Sequence, residues 1–312
     1  MVEISDINNL NQKISTFKTV YNLKENINNL LYITDFDYTI TRKYNYIKGE
    51  KLYSTYTIYN QESFGGDQSL YLSQDKKLFD IYAKYEEDTS YSCDIRKIKS
   101  FEWYKYSLIN MSNEKITYDS FKKMVELSFE NIKFRNEFKT LLEILIKKNI
   151  PIVVISGGIK EIIIEILKTL KIEGFEDYLK QKRIIIIANS LLDENGKLIN
   201  WRDNERDKDI IYPFNKNIII KQSLSKYFKD FRNIIIVGDL ISDYESINEI
   251  EINKKENVLG FGFLDYNPLK IKSDFNYKND ILFKEYSNVF DVVFINDQGY
   301  QFIIDVIKKI IS

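Results

Sequence analysis

The chain contains no histidine, and that absence excludes more chemistry than any other feature of its composition. Without imidazole there is no Ser/His/Asp triad, no histidine general base and no histidine-ligated zinc. The single cysteine, Cys93, can form no intramolecular disulfide and cannot supply a thiolate zinc site. No stretch is apolar for long enough to cross a bilayer, since Lys160 and Glu161 interrupt the richest isoleucine tract, so no membrane partner is expected. Residues 1–19 show no apolar signal core, and a cytoplasmic location is expected. Neither sign of charge is in excess: 45 Lys+Arg against 46 Asp+Glu give a formal net charge of -1, which removes the global electrostatic case for a nucleic-acid partner. Catalysis must therefore rest on carboxylates, lysine, hydroxyls or a hard cation.

What is present centres on residues 31–41, LYITDFDYTIT. A short apolar run ends in two carboxylates, Asp35 and Asp37, as a buried strand would if it delivered acids to its carboxyl end. Taken alone, Asp-x-Asp is more often a turn cap than a site. Upstream, residues 1–29 read as helical, with Leu10, Ile14, Phe17 and Val20 near helical spacing. Downstream comes a tyrosine-rich polar stretch with turn signals at Gly49 and Gly65-Gly66, then helical patterns near 78–87, 100–111 and 118–132. From Phe138 helix and strand alternate: strands at 151–155, 183–188, 233–237, 258–263 and 292–295, helices at 138–146, 159–170, 218–228 and 302–311, and a hairpin turning at Asn195-Gly196. This alternation predicts an α/β fold, a mainly parallel Rossmann-like sheet with helices on both faces and a mainly helical insertion between its first and second strands. The expected division is a core of residues 1–43 and 133–312 and a cap of residues 44–132.

In such a sheet ligands bind beyond the carboxyl ends of the strands, where strand order reverses. The unusual polar residues fall at those ends: Asp35 and Asp37 on the first strand, Ser156, Gly157 and Gly158 read as a helix start after the second, Gly238 and Asp239 with Asp243 one helical turn on after the fourth. Lys216 stands before that last strand in YPFNKN. Each is weak singly, but their order and placement are improbable by chance. Oxygen ligands such as Asp35 and Asp37 suit magnesium, which takes a few carboxylates together with substrate phosphate.

The set DFDYTIT, ISGG, Lys216 and GDLISD resembles the four motifs of the haloacid dehalogenase superfamily of aspartyl phosphotransferases. Within it the chain is similar to the cytosolic 5′-nucleotidase type III, or pyrimidine 5′-nucleotidase, family, through YEED, FEWYKYS, YPFNKN, NVLGFGFLDYN and FDVVFIND. That resemblance implies Asp35 as nucleophile, Asp37 as general acid and base, and Ser156, Gly157 and Lys216 as phosphate holders. It also implies magnesium on Asp35, the main-chain carbonyl of Asp37 and Asp239, with Asp243 behind. Glu86, Tyr104, Tyr56 and Ser107 would meet the base, the two tyrosines sandwiching it. Leu240, Ser242 and Gly157 depart from the usual pattern without removing a charged group.

The expected activity is hydrolysis of nucleoside 5′-monophosphates, pyrimidine (UMP, CMP) first and 7-methylguanosine monophosphate second, through an aspartyl phosphate, with a nucleoside phosphotransferase side activity compatible. A monomer is expected. The competing readings are a phosphatase of the same superfamily for another small monoester such as phosphoserine, and a catalytically silent nucleotide-binding module. For any one of the 23 tyrosines, packing is the commoner role, and Trp103 could be cap core alone.

Overall fold

Isoleucine, leucine and valine fill the sheet-forming segments because those segments are covered on both faces. In the computed structural model, which describes residues 1–22, 30–62, 76–87, 90–112, 116–227, 231, 233–247, 257–271 and 275–312, the described strands are β1 Val2–Ile4, β2 Leu30–Thr34, β3 Tyr44–Asn45, β4 Glu50–Lys51, β5 Ile152–Ile159, β6 Ile184–Asn189, β7 Asn233–Gly238, β8 Val258–Leu264 and β9 Val292–Ile295. Along β2, Leu30 and Tyr32 enter one core cluster while Leu31 and Ile33 enter a second. Strands β5 and β7 alternate in the same way, Val154 and Val237 on the first side, Val153 and Ile236 on the other. Each such side chain contributes about 1.5–3 kcal/mol when fully buried, so a polar substitution on either face is costly.

The large sheet runs β1-β9-β8-β7-β2-β5-β6. All its pairings are parallel except that of β1 with β9. The chain leaves β2 for β5 and β6 on one side and then returns to β7, β8 and β9 on the other. The reversal therefore lies at β2, and the crevice beyond its carboxyl end is where such folds bind ligands. Helices Ile7–Tyr21, Phe138–Lys147, Lys160–Lys168 and Gln301–Ile311 cover the first face through residues such as Phe17, Leu141, Ile163 and Ile307. Helix Lys216–Tyr227 covers the second through Ile220.

Between β2 and β5 lie the β3–β4 hairpin and helices Thr55–Glu62, Lys84–Glu87, Cys93–Met111 and Tyr118–Ser128. The last buries Phe121, Met124, Val125 and Ser128, a helical stripe, and packs on helices Thr55–Glu62 and Lys160–Lys168. This inserted group is thus seated on the β5 side of the core. The helix Cys93–Met111 starts at Ser92, whose hydroxyl accepts from the Ile95 amide at 3.4 Å.

Several expectations change. The first residues are not helical: Val2–Ile4 pair antiparallel with β9 and the helix begins only at Ile7, where the Asp6 carboxylate accepts from the Asn8 and Asn9 amides. Ser156, Gly157 and Gly158 do not open a helix; β5 continues through them to Ile159, with a register shift between Ile155 and Ile159. The pattern at 78–87 divides into a helical stretch at 76–82 and Lys84–Glu87, and helix 118–132 ends at Ser128 before a 3-10 turn. Gly49, at φ +73°, turns the β3–β4 hairpin, and Gly196, at φ +74°, turns the bridge between Leu192 and Leu198. Gly65 and Gly66 lie outside the described residues.

Candidate active site

The motif after β2 sorts its residues by alternate destinations. Phe36 and Ile40 are wholly buried in the core, while Asp35 and Asp37 line a cavity of about 450 Å³. The Asp35 amide donates to the Val237 carbonyl at 3.0 Å, which extends the β2–β7 ladder one residue and fixes that carboxylate at the strand end. Tyr38 then adopts φ +64°, a left-handed conformation rare for a large residue, and its amide donates to the Thr41 hydroxyl at 3.1 Å. Arg135, 2% exposed, holds the turn from behind. Its guanidinium donates to the carbonyls of Thr39 at 3.0 Å, Tyr38 at 2.6 Å and Gln298 at 3.3 Å, pairs with Asp265, and lies 3.9 Å above the Phe263 ring.

Lys216 is the first residue of its helix and is 3% exposed. Its ammonium donates to Asp35 Oδ1 at 2.7 Å and to Asp243 Oδ1 at 2.6 Å. The other oxygen of Asp243 accepts from the Leu240 amide at 2.9 Å. Asp239 accepts from the Thr39 hydroxyl at 3.3 Å, and its carbonyl accepts from the Tyr286 hydroxyl. One oxygen each of Asp35, Asp239 and Asp243 lies within 4.8 Å of the others, so three carboxylates face one ammonium. Burial, reinforced by the Asp243 and Asp239 charges and opposed by Lys216, raises Asp35 well above the usual carboxylate range. Burial and the Asp243 charge push Asp239 up to about 7. Burial alone would depress Lys216, but Asp243 and Asp35 override it and hold the ammonium above its ordinary value.

Asp37 is held differently. Its Oδ1 accepts from the Thr55 amide at 3.0 Å and its Oδ2 from the Thr55 hydroxyl at 2.7 Å. Burial pushes its pKa up to about 6 against those two bonds. The Thr55 hydroxyl also accepts from the Ile159 amide at 3.2 Å, so a single side chain ties the first inserted helix, the acid and the end of β5 together. Gly158 must be glycine here, because a Cβ would stand 2.3 Å from Thr55 Oγ1 and 2.8 Å from Asp37 Oδ2. Ser156 Oγ accepts from the Gly158 amide at 3.0 Å, leaving its own proton to point elsewhere.

The cavity wall includes Ser156, Gly157, Lys216 and Asp239 from the core and Tyr56, Glu86, Tyr104 and Ser107 from the insertion, so every residue to which the family resemblance gives a role lines it except Asp243, which bonds Lys216. The clustered carboxylates are those of Asp35, Asp239 and Asp243, while the Asp37 carboxylate, whose main-chain carbonyl and not its side chain was the expected metal ligand, is engaged by Thr55. The tyrosine pair also differs, for the Tyr56 and Tyr104 rings meet edge to face, 5.7 Å apart at 83°, with no parallel gap between them. Trp103 is not mere packing; with Phe79, 6.0 Å away, it lines the cavity.

Thr39, Thr55 and Arg135 were not singled out from sequence. Thr39 lies inside the DFDYTIT motif and its polar type was a usable signal. Thr55 and Arg135 carry no local signal, because their partners are remote in the chain.

An oxygen-only set of three clustered carboxylates whose mutual repulsion is only partly met by Lys216 fits a hard dication such as magnesium. Among the described residues no helix is long and apolar enough to cross a membrane.

The profile of the pyrimidine 5′-nucleotidase (UMPH-1) family matches residues 38–311. A 7-methylguanosine phosphate-specific 5′-nucleotidase A of Xenopus laevis is 24% identical over 284 residues, 90% of this chain and 86% of the relative. A putative cytosolic 5′-nucleotidase 3 of Caenorhabditis elegans is 26% identical over 290 residues, 89% and 69% respectively. The crystal structure of cytosolic 5′-nucleotidase IIIB bound to cytidine superposes with a TM-score of 0.77 at 18% identity, covering 99% of this chain and 93% of that one, which establishes the haloacid dehalogenase-like fold. The chain, a hydrolase with that fold, therefore belongs to the pyrimidine 5′-nucleotidase family.

Proposed function

We propose that the protein is a magnesium-dependent phosphohydrolase of nucleoside 5′-monophosphates that works through a phosphorylated Asp35. The observation that carries this reading is the juxtaposition of Asp35, bound to Lys216 on one oxygen, with Asp37 and Asp239 on one cavity at the sheet's reversal point. A phosphate monoester dianion repels nucleophiles, so hydrolysis needs charge neutralisation, an in-line attacker and protonation of the leaving group. Asp35 Oδ2, which has no hydrogen-bond donor among the described residues, attacks phosphorus. As the P–O bond to the nucleoside breaks, Asp37 gives its proton to the departing 5′ oxygen. Asp37 then takes a proton from the water that attacks the aspartyl phosphate, which restores the Asp35 carboxylate and frees inorganic phosphate.

Lys216, Ser156 and the Gly157 amide hold the non-bridging oxygens throughout. Magnesium held by Asp35, Asp239 and the Asp37 main-chain carbonyl, with Asp243 orienting the group from behind, would supply charge neutralisation of the phosphoryl group. The aromatic wall of Tyr56, Tyr104, Phe79 and Trp103 with the Glu86 carboxylate suits a flat base. A pyrimidine is the first choice, in line with the family name. The second is 7-methylguanine, named in the Xenopus relative, because its cationic ring suits aromatic faces and a carboxylate. The chain is read as cytosolic, as the Caenorhabditis relative is named.

The test is phosphate release by the purified protein from UMP, CMP, 7-methylguanosine monophosphate, purine nucleotides, phosphoserine and a simple aryl phosphate, with magnesium and with chelator. Release from nucleotides that depends on magnesium is expected. Release from phosphoserine alone would transfer the assignment to the rival phosphatase, and no release from any ester would leave a silent binding module.

A further inference from the structure

Two segments that the proposed function assigns to phosphate, the Gly157 stretch of β5 and the stretch ending in Lys216, line one cavity and are joined by one side chain. Asn189, the last residue of β6, is 1% exposed. Its Nδ2 donates to the Gly157 carbonyl at 2.6 Å and to the Ile211 carbonyl at 2.8 Å, while its Oδ1 accepts from the Ile211 amide at 2.8 Å. The main-chain ladder passes from the Ile155–Ile187 pair to the Ile159–Asn189 pair across a register shift, so regular pairing does not fix Gly157. The Asn189 carboxamide reaches across that irregularity and does so instead.

The other arm leads to the ammonium. From Ile211 the chain runs to Asn215, whose Oδ1 accepts from the Tyr212 amide at 2.9 Å and whose Nδ2 donates to the Ile210 carbonyl at 2.7 Å, and Lys216 follows. Asn189 is itself anchored by the chain after it: Glu161, 5% exposed, accepts from the amides of Leu191 at 3.1 Å and Leu192 at 3.0 Å and from the Ser190 hydroxyl. Only a carboxamide offers two donors and an acceptor in one plane; aspartate lacks the donors and leucine lacks both.

We propose that Asn189 is a positioning residue for phosphoryl binding, whose carboxamide sets the separation of Gly157 and Lys216. The inference rests on the reading of the cavity as a phosphohydrolase site, and it assigns Asn189 no contact with substrate. Its consequence is selective: the grip on phosphate depends on Asn189, and the grip on the nucleoside does not.

The test compares full-length wild type, Asn189→Asp and Asn189→Leu in the presence of magnesium, with inorganic phosphate and a free nucleoside as separate competitive inhibitors. Loss of one well-placed hydrogen bond to a charged oxygen weakens binding about tenfold to a hundredfold, so inorganic phosphate should bind more weakly by about that factor in both variants. Nucleoside affinity should stay within about twofold, and kcat/KM should fall by one common factor for all nucleotides whatever the base. Wild-type phosphate affinity in either folded variant, or equal losses for phosphate and nucleoside, overturns the proposal. Should neither variant fold, hydrogen exchange at the Ile211 amide of the wild type decides: it slows on phosphate binding if Asn189 couples the two arms, and unchanged exchange refutes that. Failure of the function reading is seen separately, in wild-type phosphate release from the ester panel.

Discussion

Replacing Lys216 by methionine should destabilise the metal-free protein and abolish turnover, and the two effects can be separated. Lys216 is 3% exposed and its ammonium bonds two carboxylates, at 2.7 and 2.6 Å, with Asp239 beside them. Methionine matches its length but brings no charge, so Asp35 and Asp243 lose their common partner inside the protein. Breaking a buried ion pair in this way costs about 3–5 kcal/mol. Protonation of one carboxylate limits the loss, since burial already favours the neutral form of Asp35. In a chain of 312 residues that cost corresponds to a fall in melting temperature of about 5–8 °C at most. A second change, Asp243→Asn, removes one of the stranded charges, so Lys216→Met/Asp243→Asn should be more stable than Lys216→Met alone. Magnesium should likewise narrow the gap to wild type, because a dication can meet the carboxylates that the lysine no longer meets. The assay is thermal unfolding followed by circular dichroism, in chelator and in magnesium, on wild type, both single variants and the double variant. Additive effects across the four proteins would refute the reasoning, for they would mean that Lys216 and Asp243 are not coupled.

Three further outcomes are expected. Asp35→Asn should remain folded and release no phosphate, because an amide is a poor nucleophile of nearly the same size; wild-type rates in a folded variant would rule out the covalent route. Asp37→Asn should slow release of a nucleoside far more than release of an activated phenol, which departs without protonation, and equal slowing of the two would remove Asp37 from the role of acid. Glu86→Ala should lower kcat/KM toward the best nucleotide by roughly tenfold to a hundredfold, the worth of one charge-assisted hydrogen bond, while hydrolysis of a baseless aryl phosphate stays unchanged; an unaltered nucleotide profile would make Glu86 a bystander.

The parallel sheet was legible because its strands are buried on both faces and so are written as unbroken runs, from 233–237 to 292–295. Acids at the end of such a run are conspicuous, and Asp35, Asp37 and Asp239 stood out for that reason. β1 was not legible: three residues at an edge, Val2, Glu3 and Ile4, owe their conformation to pairing with β9 at the far end of the chain. The continuation of β5 through Ser156–Gly157–Gly158 was hidden because glycines commonly signal a turn, whereas here they make room for Tyr104, Thr55 and Asp37. Thr55 and Asn189 were hidden for another reason. Each is an ordinary polar residue whose meaning lies in groups brought to it by folding.

The bonds of Arg135 bear on how the protein is made. The turn that carries Asp37 is encoded near the start of the chain, yet the side chain that holds its carbonyls comes from residue 135, and that side chain is in turn held by Asp265 and the carbonyl of Gln298. During synthesis a ribosome releases residues 30–42 long before it has translated the segment that completes this clasp. Domains emerge amino end first, and contacts of high sequence separation form late. A nascent chain that stops before residue 298 therefore already carries Asp35, Asp37, Asp239 and Asp243 but not the Gln298 carbonyl that completes the bonds of Arg135.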